Sequence, residues 1–201
     1  GQDMLEQGLA AQKARKHEQA VELLGRVVQQ YPQNPEAWRA RALSLIALER
    51  RPEALSDLSK GLDHNPKNIP LMVAKGKVLG ELERHGEAIA VFTEVLALDP
   101  KNAEAYKERG ESLIQEGEVD KAKGDIAKAV DLAPTDPWAY FKLGMVEFAL
   151  NRPEAAVKAF SAAIRLNPDS PLFYFSRGQR YLRHLNRPDQ ARSDFAKGCS
   201  L

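Results

Sequence analysis

Four histidines and one cysteine are the side chains in this 201-residue chain best suited to metal binding or nucleophilic chemistry. A zinc site draws on Cys and His placed a few residues apart, close enough to converge on one ion. His17, His64, His85 and His184 each lack a His or Cys partner three or four residues away, and all fall near expected helix ends or turns. They read as surface histidines. Cys199 has Lys197 nearby but no histidine beside it, so it reads as a plain surface thiol. The glycines recur at one repeated position and form no phosphate-cradling loop. The expectation is a protein without catalytic residues, metal or cofactor.

The residues that stand out are apolar. In "DPWAYFKLGMVEFAL", Asp136 to Leu150, Asp136 and Pro137 mark a helix start as N-cap and first helical residue. A surface helix carries one apolar stripe. Here Trp138, Tyr140, Phe141, Leu143, Met145, Val146, Phe148 and Leu150 point in nearly every direction. Either the helix is buried all round or one apolar face awaits something else.

The rest of the chain supplies the frame. Pro32, Pro66, Pro100, Pro134 and Pro168 follow one another at 34-residue intervals, as do Ala20, Ala54, Ala88, Ala122 and Ala156. Gly8, Ala42, Gly76, Gly110, Gly144 and Gly178 keep the same period. In residues 103–136, Tyr106, Gly110 and Leu113 form one helical stripe and Ala122, Ile126, Ala129 and Val130 a second, with "GEVD" between them. Two such stripes face each other as an antiparallel pair, and the small residues let the axes approach. Pro134 ends the second helix, because proline has no N–H and disfavours helix in the residue before it. One pair cannot bury its stripe alone, so neighbouring pairs must stack.

This period and pattern resemble the tetratricopeptide family. Residues 137–170 match it well, with Tyr140, Gly144, Ala156, Phe160, Ala163 and Pro168 at the family's signature positions. The resemblance implies an all-α, right-handed superhelical solenoid of antiparallel helix pairs. It is expected as one domain over 1–201, with units 1–34, 35–68, 69–102, 103–136, 137–170 and 171–201. The sixth departs: Gly178 to Ala191 is one residue longer than Gly144 to Ala156, so "RHLNRPDQ" should form a longer turn. No polar capping helix follows "FAKGCSL", which suggests a fragment or an excised domain.

In the resembling family, the first helices of successive units line a concave groove that binds a protein or peptide segment. Carried over by position, the apolar anchors are Trp138, Phe141, Met145, Phe148, Leu172 and Phe175, with Arg39, Lys77, Lys107 and Arg183 as polar contacts. Two occupants stay open for the apolar stripe: a partner segment, or a helix of the same protein folded back. The carboxylate clamp of chaperone-binding members does not fit. From the fourth unit only Lys107 matches: Glu111 and Lys142 stand in place of the two Asn, and Leu172 and Ser176 in place of the two final basic residues.

Net charge of +1 gives no global reason to expect nucleic acid or an acidic membrane, and basic residues do not interleave with aromatics along the array. No apolar run approaches the roughly 18 residues of a membrane helix. Charge is nonetheless uneven: unit four carries five Lys/Arg against nine Asp/Glu, and unit six carries six against two. Such polarity would orient an approaching partner. Glu147 breaks the core pattern, since Ala11, Leu45, Leu79, Leu113 and Tyr181 occupy its position elsewhere. Two outcomes stay open for it: a side chain that reaches solvent with no fixed partner, or an ion pair with Arg177 or Arg180 that holds units five and six in register. The sequence style resembles bacterial members, with cytoplasm and periplasm both open. The expected molecule is a monomeric interaction scaffold, with the groove as the surface for any self-association. Two alternatives remain: an assembly factor resembling secretin pilotins, and the substrate-recruiting module of a larger enzyme.

Overall fold

The computed structural model describes residues 2–201. Among them, twelve α-helices account for all regular structure: α1 (Gln2–Lys13), α2 (His17–Gln30), α3 (Pro35–Ala47), α4 (Arg51–His64), α5 (Ile69–Glu81), α6 (His85–Leu98), α7 (Ala103–Gln115), α8 (Val119–Leu132), α9 (Pro137–Ala149), α10 (Pro153–Leu166), α11 (Pro171–Arg183) and α12 (Pro188–Cys199). The architecture is the expected all-α array of tetratricopeptide-like helix pairs. It falls into two compact units, Gly1–Pro100 and Lys101–Leu201. In the first, α1 packs on α2, α3 on α4 and α5 on α6, while α2 meets α3 and α4 meets α5. The second repeats the scheme, with α8 against α9 and α10 against α11 joining its three pairs.

Local chemistry sets the helix ends. Asn34, Asn68 and Asn102 precede the first helices of their pairs, and their side-chain oxygens accept from the N–H of Ala37, Leu71 and Ala105 at 3.1, 3.0 and 2.9 Å. Each such cap satisfies a donor that the first helical turn would leave open. At the other end, a residue with positive φ turns the chain into the second helix: Arg15, Glu49, Glu83, Gly117, Asn151 and Asn186. The following N–H reaches back five residues, as in Arg50 to Leu45 O at 2.8 Å and Arg84 to Leu79 O at 2.9 Å, which is a Schellman closure. The sixth turn, His184 to Arg187, has the extra residue expected, and Arg187 N–H reaches Tyr181 O instead.

Only Gly117 among these six turn residues is a glycine. A side chain in the left-handed region costs about 1–2 kcal/mol, part of which the added chain freedom of glycine cancels. Glu83, exposed at φ 59°, should therefore tolerate Glu83→Gly with a gain of about 0.5–1 kcal/mol in chemical denaturation. A loss of stability would show that the Glu83 side chain holds the turn.

Within each pair a small residue faces a large one. The periodic Ala20, Ala54, Ala88, Ala122 and Ala156 are fully buried. A Cβ at Gly76 would lie 2.6 Å from Phe92, one at Gly110 2.5 Å from Ile126 and one at Gly144 2.5 Å from Phe160. These glycines thus make room for a side chain of the partner helix as well as for its backbone.

A second period overlies the first. Arg41, Arg109 and Arg177 recur every second pair, each within reach of an aspartate of the pair's second helix: Arg41 to Asp57 at 3.1 Å, Arg109 to Asp125 at 2.6 Å and Arg177 to Asp194 at 2.7 Å. The last two are bidentate. In the fifth unit Leu143 and Ala159 occupy the same two positions.

Candidate partner-binding surface

The proposed stripe on α9 divides by exposure. Trp138 is 43% exposed and Met145 37%, while Phe141 and Phe148 are half-buried. Phe141 lies against two buried rings, stacked on Phe173 at 5.2 Å between centroids and tilted on Phe160 at 5.5 Å. It belongs to a core cluster with Ala163, Ile164 and Tyr174. Trp138 meets Phe173 edge-on at 5.1 Å and Phe141 at 5.8 Å, so its ring is held by the core at one side and open at the other. Phe173 carries this arrangement. Its counterparts are Ala37, Leu71, Ala105 and Ala139, all buried, so a lone Phe in that column was the available signal.

On α11, Leu172 is 46% exposed. Phe175 is half-buried against α12, its ring 3.1 Å from where a Cβ of Gly198 would lie and stacked on Phe195. Leu182 lines a depression with Pro188, Ala191, Phe195 and Cys199. Trp138, Met145 and Leu172 are therefore the open apolar residues of the set.

The polar candidates are distributed. Arg39 and Lys77 are exposed on α3 and α5, in the first compact unit, and Arg183 is exposed in the last turn of α11. Lys107 sits beside the stripe but is engaged, donating to Asp136 Oδ2 at 2.6 Å. Asp136 Oδ1 accepts from Trp138 N–H at 2.9 Å, so one carboxylate caps α9 and ties it to α7. Lys142 pairs in the same way with Glu111 on α7. These links neutralise the polar groups flanking the stripe.

Burial works against the Asp136 anion, but the Lys107 hydrogen bond and charge and the Trp138 and Ala139 N–H groups outweigh it and hold the carboxyl below its usual range. A lowered carboxyl pKa stabilises the fold above its unfolded value, and this is lost as pH falls through the folded value. Asp136→Asn should remove about 0.5–1 kcal/mol at neutral pH, the modest figure reflecting solvent screening. It should also flatten part of the loss seen below about pH 4. Parallel acid unfolding curves for the two proteins would contradict this.

Glu147 pairs with neither Arg177 nor Arg180. Its carboxylate faces back to α8, where Lys123 Nζ lies at 2.8 Å, with Arg152 at 3.6 Å. Arg177 is committed to Asp194 and also donates to Ser161 Oγ at 2.8 Å. Arg180 instead lies over the Phe148 ring, 3.5 Å from its centroid. The register contact of Glu147 thus joins units four and five.

A tetratricopeptide repeat model matches residues 5–69, 73–137 and 141–198. The chain belongs to the tetratricopeptide repeat family. The matched stretches begin two 34-residue units apart, at residues 5, 73 and 141, the same spacing as the arginines of the Arg–Asp pairs. No curated protein matches the sequence. Among solved structures, PilW, described as a widely conserved type IV pilus biogenesis factor, is similar with a TM-score of 0.89 at 18% identity, over 98% of this chain and 90% of that one. PilF of Pseudomonas aeruginosa gives 0.81 at 17% identity, over 96% and 87%. MamA from residue 41 onward, of Desulfovibrio magneticus RS-1, gives 0.71 at 23%, over 83% and 94%. At such identities the likeness is one of fold. Tetratricopeptide arrays are typical scaffolds for protein–protein interaction. Among the described residues no helix is long and apolar enough to cross a membrane, and no group of three or more His, Cys, Asp or Glu is placed to hold a metal ion.

Proposed function

We propose that this protein is a non-catalytic interaction scaffold, monomeric when free, that binds an apolar segment of a partner protein along α9 and α11. The supporting observation is the exposure of Trp138, Met145 and Leu172 beside flanking charges already neutralised within the chain. Fully burying an exposed side chain of this kind is worth about 1.5–3 kcal/mol, and at 37–46% exposure each of these three forgoes somewhat less than half of it. A partner that covers them recovers part of that energy, and an aromatic anchor such as Trp138 commonly dominates an interface.

The test is selection of short displayed peptides on the full chain, followed by affinity measurements on Trp138→Ala and Leu172→Ala. Each substitution should weaken binding of the selected peptides by about tenfold or more, with helicity retained. Unchanged affinity in both would remove the surface from consideration. Phe141→Ala serves as a contrast: its ring is part of the core, so it should lower the melting temperature as well.

Assembly of pilus components is a second reading, favoured by the likeness to PilW. It requires binding to a secretin subunit through the same surface, and failure of purified secretin to bind would end it.

A further inference from the structure

Arg180 is the exception among the partly buried arginines of the first helices. Arg41, Arg109 and Arg177 each have an aspartate. Arg180 has none: its Nη2 donates only to Gln179 Oε1 at 3.3 Å, and its Nε is buried without a hydrogen-bond partner. The guanidinium carbon lies 3.5 Å from the centroid of the Phe148 ring, which His184 also meets edge-on at 4.9 Å. Among the described residues no carboxylate pairs with it. Helix α11 contains no acidic residue, Glu147 of α9 is held by Lys123 and Arg152, and Asp194 of α12 is held by Arg177.

Resting on the scaffold reading above, we infer that Arg180, with Arg183 beside it, receives an Asp or Glu side chain of the bound partner segment. A guanidinium stacked on a ring keeps its N–H edge free for a carboxylate, and its planar fork suits bidentate pairing. Burial, and after it the Arg183 charge, disfavour the charged form of Arg180. Because arginine keeps its proton, an incoming anion relieves that cost. The surplus of six basic over two acidic residues in 171–201 draws the same kind of partner. The geometry also sets a spacing. Phe148, under Arg180, lies ten residues beyond Trp138 on one helix, about 15 Å along its axis. An extended segment rises about 3.3 Å per residue, so the acid should stand about four to five residues from the apolar residue over Trp138.

The experiment selects random peptides displayed with their C-termini fused, which removes any free α-carboxylate, against the full chain and against Arg180→Met. The wild-type protein should enrich an aromatic or aliphatic residue with Asp or Glu at that spacing, before or after it in the chain. An amidated synthetic copy should lose about tenfold or more in affinity when its acid is changed to the amide. Arg180→Met, which keeps the stem over Phe148, should cause a similar loss and abolish discrimination between acid and amide. Arg180→Lys should keep part of both. The acid-to-amide change in the peptide tests the inference on unaltered protein, independent of any folding defect. Apolar peptides without acid bias would overturn the inference and leave the scaffold reading standing. Binding that appears only when the peptide's own C-terminal carboxylate is free would overturn it too, assigning Arg180 to chain ends. Failure to enrich any apolar peptide would overturn the scaffold reading itself.

Discussion

Gly144→Leu is expected to destabilise the second compact unit by about 3 kcal/mol or more, because nothing around that position can yield. A Cβ alone would lie 2.5, 2.6 and 2.9 Å from Cε1, Cδ1 and Cζ of Phe160. That ring is fully buried and is itself packed by Phe141. Even Gly144→Ala should cost about 1–2 kcal/mol, although alanine is the better helix former by about 1 kcal/mol. Gly124, in the middle of α8, has nothing within 4 Å of where its Cβ would be, so Gly124→Ala should stabilise by about 0.5–1 kcal/mol. Opposite signs for two Gly→Ala changes, measured by chemical denaturation, are the signature of close helix approach in one and plain propensity in the other. Equal effects would mean that Gly144 does not face Phe160.

Asp125→Ala is expected to cost about 3 kcal/mol, because it removes the carboxylate that balances the Arg109 charge in a site where both partners are largely buried. The guanidinium gives Asp125 two hydrogen bonds, at 2.6 and 2.8 Å, and these bonds raise the Arg109 pKa against the opposing effect of burial. The fifth unit solves the same packing problem without charge, placing Leu143 and Ala159 at the two positions. Arg109→Leu with Asp125→Ala copies that solution and should fall within about 1 kcal/mol of the parent, since a well-packed apolar pair often replaces a buried ion pair at little cost. The two single changes and the double form a cycle with a large coupling. Additive costs would show that the pair contributes nothing as a pair.

The repeat was legible because three residue types mark it for separate physical reasons. Proline stops the second helix, alanine lies at the fully buried contact, and glycine or alanine admits the facing side chain. The longer sixth turn was readable by counting alone. The Arg–Asp pairs stand at twice the period, but nothing in the sequence separates them from surface arginines and aspartates that recur without purpose. What the sequence hid was direction. Phe141 and Phe148 share a helical stripe with Trp138 and Met145, yet neighbouring helices half-cover them. Periodicity assigns a face but not the side chain that arrives from the next helix. Glu147 shows the same limit. Its position marked it as buried, but whether it turned toward α8 or α11 depended on Lys123 being within reach and Arg177 being taken by Asp194.

A bound partner segment is expected to cover the open apolar surface of α9 and α11. The three methionines test it within one spectrum, because Met145 is 37% exposed on that surface, Met72 is buried in α5, and Met4 packs against the core of the first compact unit. In protein carrying 13C-methyl methionine, titration with a selected peptide should shift the Met145 resonance and leave Met4 and Met72 in place. A Met145 signal that stays still at saturating peptide, whatever the other two do, would show that the segment binds elsewhere.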